Sequence, residues 1–329
     1  MRINLLNLDD ALIKLPEFRH RALILGAREL WAKDFGGLIR LWSTDEELAS
    51  FSNFLEPFYN FDKSLETTIS FIGSGDFHHI TPVVVKNLLR SFHSEITIFH
   101  FDNHPDWVNF SPGSHCGSWV NDALKLPKVA RVITLGPCSD DLSFPELKGG
   151  NLSLLRSDRY SIFPFYHSPT VVLKNYGYGN SFFQKKWRIF WRTLKNKDLS
   201  QFMNNLLDSD SAKSVYISID KDVLNVNETI SNWDQGKMSL SQLKICLRKI
   251  AEKKRIFGID VLGDFSKPVF NGNWITRFKK KFEIKMDHQK IMYDNSQIEK
   301  INSKTNLELL DFFLENCRGI ESCIHPNEL

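Results

Sequence analysis

The chain has 329 residues, 42 basic and 39 acidic, so its formal charge is only +3. With 42% hydrophobic and 25% charged residues it has ordinary globular composition, which excludes a disordered chain, a collagen or a coiled coil. A chain of this length can bury about three quarters of its unfolded surface, as one large α/β domain or two smaller ones.

Five cysteines (Cys116, Cys138, Cys246, Cys317 and Cys323) are an odd number without C-x-x-C spacing. They read as reduced thiols in a cytosolic setting, not as a disulfide scaffold. The opening stretch MRINLLNLDDALIKLPEF meets Asp9 and Asp10 before an apolar core of signal-peptide length forms. No run reaches the ~18 apolar residues of a membrane span, and a near-neutral balance gives nucleic acid no electrostatic foothold. The expectation is a soluble cytoplasmic protein with neither membrane nor nucleic acid as partner.

In chain order, Thr67–Ile72 (TTISFI) reads as the first buried strand, because it is short, β-branched or aromatic, and apolar without alternation. A helix follows at Pro82–Phe92, then a second such strand, Ile96–Phe101 (ITIFHF), and a helix over Trp119–Leu126. Arg131–Leu135 and Thr170–Leu173 are weaker strand signals. Lys185–Lys197 (KKWRIFWRTLKNK) places Trp187, Phe190, Trp191 and Leu194 at helical spacing with a basic face around them, which predicts a docked helix. Val215–Ile219 (VYISI) is the third strong strand, followed by a helix over Ser239–Lys253 and a strand at Arg255–Val261. Residues 266–305 are polar and basic without a clear period, and Leu307–Cys317 reads as a terminal helix. Alternating strands and helices predict an α/β fold with a mostly parallel sheet.

Histidines and carboxylates follow the three strongest strands: GSGDFHH after the first, Asp102-Asn-His104-Pro-Asp106 after the second, Asp220-Lys-Asp222 after the third. Ligands of open parallel sheets bind beyond the carboxyl ends of the strands, so these three ends can converge. Carboxylate plus imidazole without cysteine suits Mn, Mg, Fe or Zn. The donors exceed the needs of one ion, and a pair of ions would use them all. Taken alone, an Asp at a strand end is a turn or helix cap. Three acidic ends together would repel one another without cations. The glycines of Gly73-Ser-Gly75 read as turn formers, Trp107 and Trp119 as core or an apolar substrate wall, Cys116 as packing, and His100 as a core or ligand-orienting group.

The ordered stretches GSGDFHHIT, FDNHPDW, GSHCGSW, SIDKDVL and GIDVLGDFS resemble the arginase/agmatinase (ureohydrolase) family over about residues 67–266. The resemblance implies a three-layer α/β/α sandwich with a mostly parallel central sheet, one domain over residues 1–329 with N- and C-terminal extensions. It further implies two Mn2+ ions, with Fe or Zn as alternatives, and a small-molecule amidino, guanidino or amide substrate in a chain that can form a homo-oligomer. Asp102 and Asp220 would bridge the ions; Asp106 and His78 would complete one, His104 and Asp222 the other. The activity implied is hydrolysis of a non-peptide linear C–N bond by a bridging hydroxide bonded to Asp106, with His115 carrying the proton for the leaving amine.

Three departures stand out. Phe77 separates Asp76 from the histidines, so either His78 or His79 supplies the ligand; His78 is preferred because His79-Ile80-Thr81 then takes the family's Ser-Ile-Thr place. Leu224-Asn225-Val226 replaces an Asp-Pro. The family's Glu three residues after the Asp of D-V-V-E is here Gly263, with Asp264 beside it as the substitute substrate carboxylate, which argues against arginine or agmatine. Two rivals remain: a dinuclear metallophosphoesterase, whose motif order differs, and a metal-binding or regulatory protein whose catalysis has lapsed.

Overall fold

Strands that are apolar on both faces need a helical layer on each side, and that requirement organises the chain. The computed structural model describes residues 1–59, 66–92 and 94–317. Eight strands form the central sheet: β1 (Arg2–Asn7), β2 (Arg28–Trp31), β3 (Thr68–Gly73), β4 (Ile96–Phe101), β5 (Val129–Leu135), β6 (Tyr160–Phe163), β7 (Ser214–Asp220) and β8 (Arg255–Leu262). Their order is β2-β1-β3-β8-β7-β4-β5-β6, and every neighbouring pair is parallel.

Alternate residues of each strand feed two apolar clusters. One face sends Ile69, Phe71, Phe99, Ile217 and Ile259 against helices α1 (Pro16–Ile24), α6 (Leu199–Asp208), α7 (Leu240–Lys253) and α9 (Asn295–Asn316). The other sends Ile72, Ile98, Val132 and Tyr216 against α2 (Lys33–Ile39), α3 (Asp45–Tyr59), α4 (Thr81–Leu88) and α5 (Trp119–Lys125). The result is the expected α/β/α sandwich. α7 shows how local chemistry sets a boundary: Ser239 and Gln242 cap each other's backbone, and Leu240, Leu243, Cys246, Leu247 and Ile250 are buried.

The remaining helix, α8 (Trp274–Asp287), is inverted. Trp274, Phe278, Phe282 and Met286 are exposed, whereas Lys280 is fully buried. Lys280 donates from Nζ to the carbonyls of Leu38 (2.6 Å) and Trp42 (2.7 Å). α8 is therefore held by polar groups on its inner face, unlike an ordinary surface helix.

Several expectations fail. Lys185–Lys197 is not a helix: Phe182–Lys185 and Arg188–Trp191 form an antiparallel hairpin, closed at Lys186 in the left-handed region (φ 53°). The same stretch also holds a two-residue alternation, which buries Ile189 and Trp191 on one face of the strand, puts Phe190 on the other and leaves Trp187 exposed at the turn. Thr170–Leu173 shortens to Thr170–Val171 and pairs antiparallel with that hairpin, outside the main sheet. Residues 266–305 contain α8 and the start of α9, which begins at Asn295 under an Asp294–Gln297 capping box. No pattern in the sequence marks out β1, β2 or β6. Cys116, Cys138, Cys246 and Cys317 are free, as expected, and Cys323 lies outside the described residues.

Phe71 is fully buried, its ring 4.6 Å from that of Phe18. Phe71→Ala should cost about 3–5 kcal/mol, measured as a lower urea midpoint with unchanged slope.

Candidate metal centre

Four strand ends build the site. β4 stops at Phe101, and the turn after it is drawn tight by Asp102, whose Oδ1 accepts the backbone N–H of His104 at 2.6 Å. β7 ends the same way: Asp220 Oδ1 accepts from the N–H of Asp222 (3.0 Å). Asp222 Oδ1 in turn accepts from the N–H of Asn103 (3.0 Å), tying the two strand ends together. After β3, Ser74 caps a short 3-10 helix, Gly75–Ile80, which carries His78 inward. Close approach requires the glycines here: a Cβ at Gly75 or at Gly263 would stand 2.4 Å from an Asp220 carboxylate oxygen. Asp106 adopts a left-handed backbone (φ 48°), a cost that non-glycine residues bear chiefly at functional positions.

His78, His100, Asp102 and Asp106 bring ligand atoms within 4.8 Å of one another, as do Asp102, His104 and Asp222, so Asp102 joins both groups. His78 Nδ1 lies 3.1 Å from Asp102 Oδ2, 3.2 Å from Asp106 Oδ2 and 3.7 Å from Asp220 Oδ2. His104 Nδ1 lies 3.0 Å from Asp222 Oδ2 and 3.3 Å from Asp102 Oδ1.

The outer ring nitrogens decide the tautomers. Ser218 donates to Asp260 Oδ1 (2.6 Å), so its oxygen accepts the Nε2 proton of His78 (2.8 Å). His104 Nε2 meets the carboxylate of Asp234 at 2.7 Å and must donate to it. Each neutral ring therefore turns an Nδ1 lone pair toward carboxylate oxygens. Only a cation or an extra proton resolves that contact. Without a metal, protons do so. Burial opposes charge on His78, yet Asp102 and Asp106 hold its pKa well above the usual value; His104 is raised likewise, by Asp222 and Asp102 against burial. Burial and the Asp102 charge push Asp220 up to about 7 and raise Asp222 as well. The separations near 3 Å suit neighbouring ligands of one ion with bonds of about 2.1 Å. The donor set thus fits two divalent ions.

The other candidate residues occupy distinct places around this cluster. His79 is buried and outside both donor groups, and burial lowers its pKa. His100 Nε2 meets Asp102 Oδ2 at 2.8 Å. Trp107 is core, whereas Trp119 donates from Nε1 to Asp106 Oδ2 (2.6 Å). His115 lies on the rim, its Nδ1 accepting from the N–H of Gly117 (2.9 Å). Asp264 is not on the rim: it is buried and tied to Lys221 and Asn306, so it is spent as a buried counter-ion. A side chain at position 263 is sterically barred by Asp220. The carboxylate beside His115 comes instead from α8: Glu283 Oε1 accepts from His115 Nε2 at 2.6 Å, and Oε2 accepts from Trp42 Nε1 at 3.1 Å. Sequence reasoning missed Glu283 because it stands 168 residues from His115, outside every stretch that carries the donor motifs.

Below the rim, buried Arg40 donates to Asp76 (2.6 Å), Asp9 (3.1 Å), Ser266 (2.6 Å) and Ser74 (3.3 Å). Asp76 also accepts from Trp233 Nε1 (2.9 Å) and meets His288 Nε2 (3.0 Å), joining the β3 loop to the end of α8.

This topology is that of an arginase-like α/β/α fold. No family profile matches the sequence. An uncharacterized protein of Thermotoga maritima is 26% identical over 196 residues, 60% of this chain and 58% of that protein, so the chain matches little more than half of that relative's length. Entamoeba histolytica arginase, solved with L-ornithine, superposes with TM-score 0.57 at 10% identity, covering 94% of this chain and 97% of that one. Helicobacter pylori arginase gives 0.56 at 11%, covering 96% and 99%. A hypothetical agmatinase of Burkholderia thailandensis gives 0.54 at 12%, covering 96% and 86%. At such identities the likeness is one of fold.

Burial alone would raise the pKa of Asp76, but Arg40 and then His288 outweigh it and hold it far below the usual carboxylate range. A depressed folded-state pKa contributes stability above the unfolded value of about 4, lost as pH falls below it. Asp76→Asn should therefore cost about 3–5 kcal/mol at neutral pH, as expected for breaking a buried pair. In urea titrations the gap to wild type should narrow below about pH 4.

Proposed function

We propose that the chain is a metal-dependent hydrolase of a non-peptide linear C–N bond, in an amidine, guanidine or amide. The observation that carries this is the pair of histidines, His78 and His104, locked from outside so that their Nδ1 lone pairs face Asp102, Asp106, Asp220 and Asp222. In this reading His78, Asp102, Asp106 and Asp220 hold one ion, and Asp102, His104, Asp220 and Asp222 hold the other. Mn2+ is the first candidate, with Fe or Zn as alternatives. When bound, such a pair supplies Lewis acidity and lowers the pKa of a coordinated water toward 7.

The chain's own groups do the rest. Asp106, pinned through Oδ2 by Trp119, keeps Oδ1 toward Gly117 and His115, where it can hold a proton of the attacking water. His115 carries a proton at Nε2 against Glu283, and a second proton taken up by this pair is the one delivered to the leaving amine. Glu283 also restores a carboxylate to the rim, which favours a substrate with a cationic nitrogen. Reduced thiols suit a cytoplasmic setting for this enzyme, and the single-domain reading of residues 1–329 goes with it.

A second reading, a metal-binding protein without turnover, is favoured by Gly263 alone. Release of urea, ammonia or amine from a panel of guanidino, formimino and acylated amines, with Mn, Fe or Zn supplied, separates the two. Turnover supports the hydrolase; two bound ions and no product support the second reading; no bound ion sinks both. Asp102→Asn and Asp220→Asn should abolish product release and empty the site. Glu283→Gln should keep both ions and lower kcat by about 10–100-fold, the usual effect of losing a group that orients a functional histidine.

A further inference from the structure

His100 lies inside β4, two residues before the carboxylates begin, and is fully buried. Its polar surroundings are a one-way chain. Tyr160 donates its hydroxyl proton to the carbonyl of Pro105, at 2.6 Å. That carbonyl has no proton to offer, so the contact of 3.1 Å between Tyr160 and Thr134 requires Thr134 to be the donor. With its proton committed, Thr134 can only accept at its 3.0 Å contact with His100 Nδ1, so Nδ1 carries the proton. The Nε2 of neutral His100 is then a bare lone pair aimed at Asp102 Oδ2, 2.8 Å away, and 3.8 Å from Asp106 Oδ2.

A buried lone pair set against a carboxylate is repulsive unless a cation lies between them. The ring of His78 stands edge-on at 5.0 Å, with its own lone pair on the same two carboxylates. Imidazole nitrogens from two directions and two aspartates are a complete four-donor set before Asp220 is counted.

We propose that His100 is a direct ligand of the ion held by His78, Asp102 and Asp106, giving that ion two imidazoles and its partner ion one. This rests on the dinuclear reading above. Two imidazoles at one ion move its preference from manganese toward iron, cobalt or zinc, because nitrogen donors suit the later metals. The two positions would then differ in which metal they retain, and the His100 position would be the last to release a later metal.

The test is proton NMR of the full chain loaded with Co2+, in which ring N–H protons of ligating histidines are shifted far outside the normal range. Three solvent-exchangeable shifted signals are expected, from His78 Nε2–H, His100 Nδ1–H and His104 Nε2–H. His100→Phe, which fills the same space without a donor, should lose one signal and bind one of the two ions at least about tenfold more weakly, as measured by metal analysis after dialysis. Two shifted signals in the wild-type protein would overturn the proposal even if the variant fails to fold. An unchanged ion count and affinity in a folded His100→Phe protein would do the same. Failure of wild type to bind Co2+ at all would instead remove the dinuclear reading on which it stands.

Discussion

Four buried aspartates sharing one end of a sheet would be self-repelling unless positive charge is supplied between them, and the protein is arranged so that little of its own is. The nearest permanent cations are committed elsewhere: Arg40 to Asp76 and Asp9, Lys221 to Asp264. The histidines that remain are turned by Ser218, Asp234 and Thr134 so that their lone pairs face inward. Such a cluster can be kept neutral by protons, and its donors also make it a candidate cation cage.

The sheet order explains why the cage forms where it does. β3, β8, β7 and β4 are consecutive neighbours at the centre of the sheet, so three donor-bearing loops leave it side by side. The fourth strand end contributes space: Gly263 follows β8 because any side chain there would strike Asp220. β8 also contributes Asp260, which is buried below the cage and holds Ser218 against His78 while accepting from Tyr216 (2.7 Å) and Thr81 (2.9 Å).

α8 gives the site its outer wall. A surface helix normally buries its apolar stripe, yet this one buries Lys280 and turns Glu283 onto His115 while its aromatic residues face solvent. Its polar anchors, with His288 on Asp76, bind it to the rim of the site. The C-terminal extension is thereby joined to the loops that carry the candidate ligands.

The fold class was legible because ITIFHF and VYISI are short, rich in β-branched and aromatic residues and apolar on both faces, which marks them as central strands, and the donor stretches follow them in order. The same logic misread Lys185–Lys197, where one stretch holds both a helical spacing and a two-residue alternation, and only pairing with Phe182–Lys185 decides. Local sequence also located the donors but could not choose roles that depend on remote partners. Asp264 is neutralised by Lys221 and Asn306, and Glu283 reaches His115 from the far end of the chain. What the sequence by itself determined is which segments form the central strands and which residues beside them carry groups able to ligate a metal, since both are written in short-range spacing. What only the tertiary structure decided is the tautomer of each histidine and the identity of the rim carboxylate, because both are set by contacts between segments that no local pattern connects.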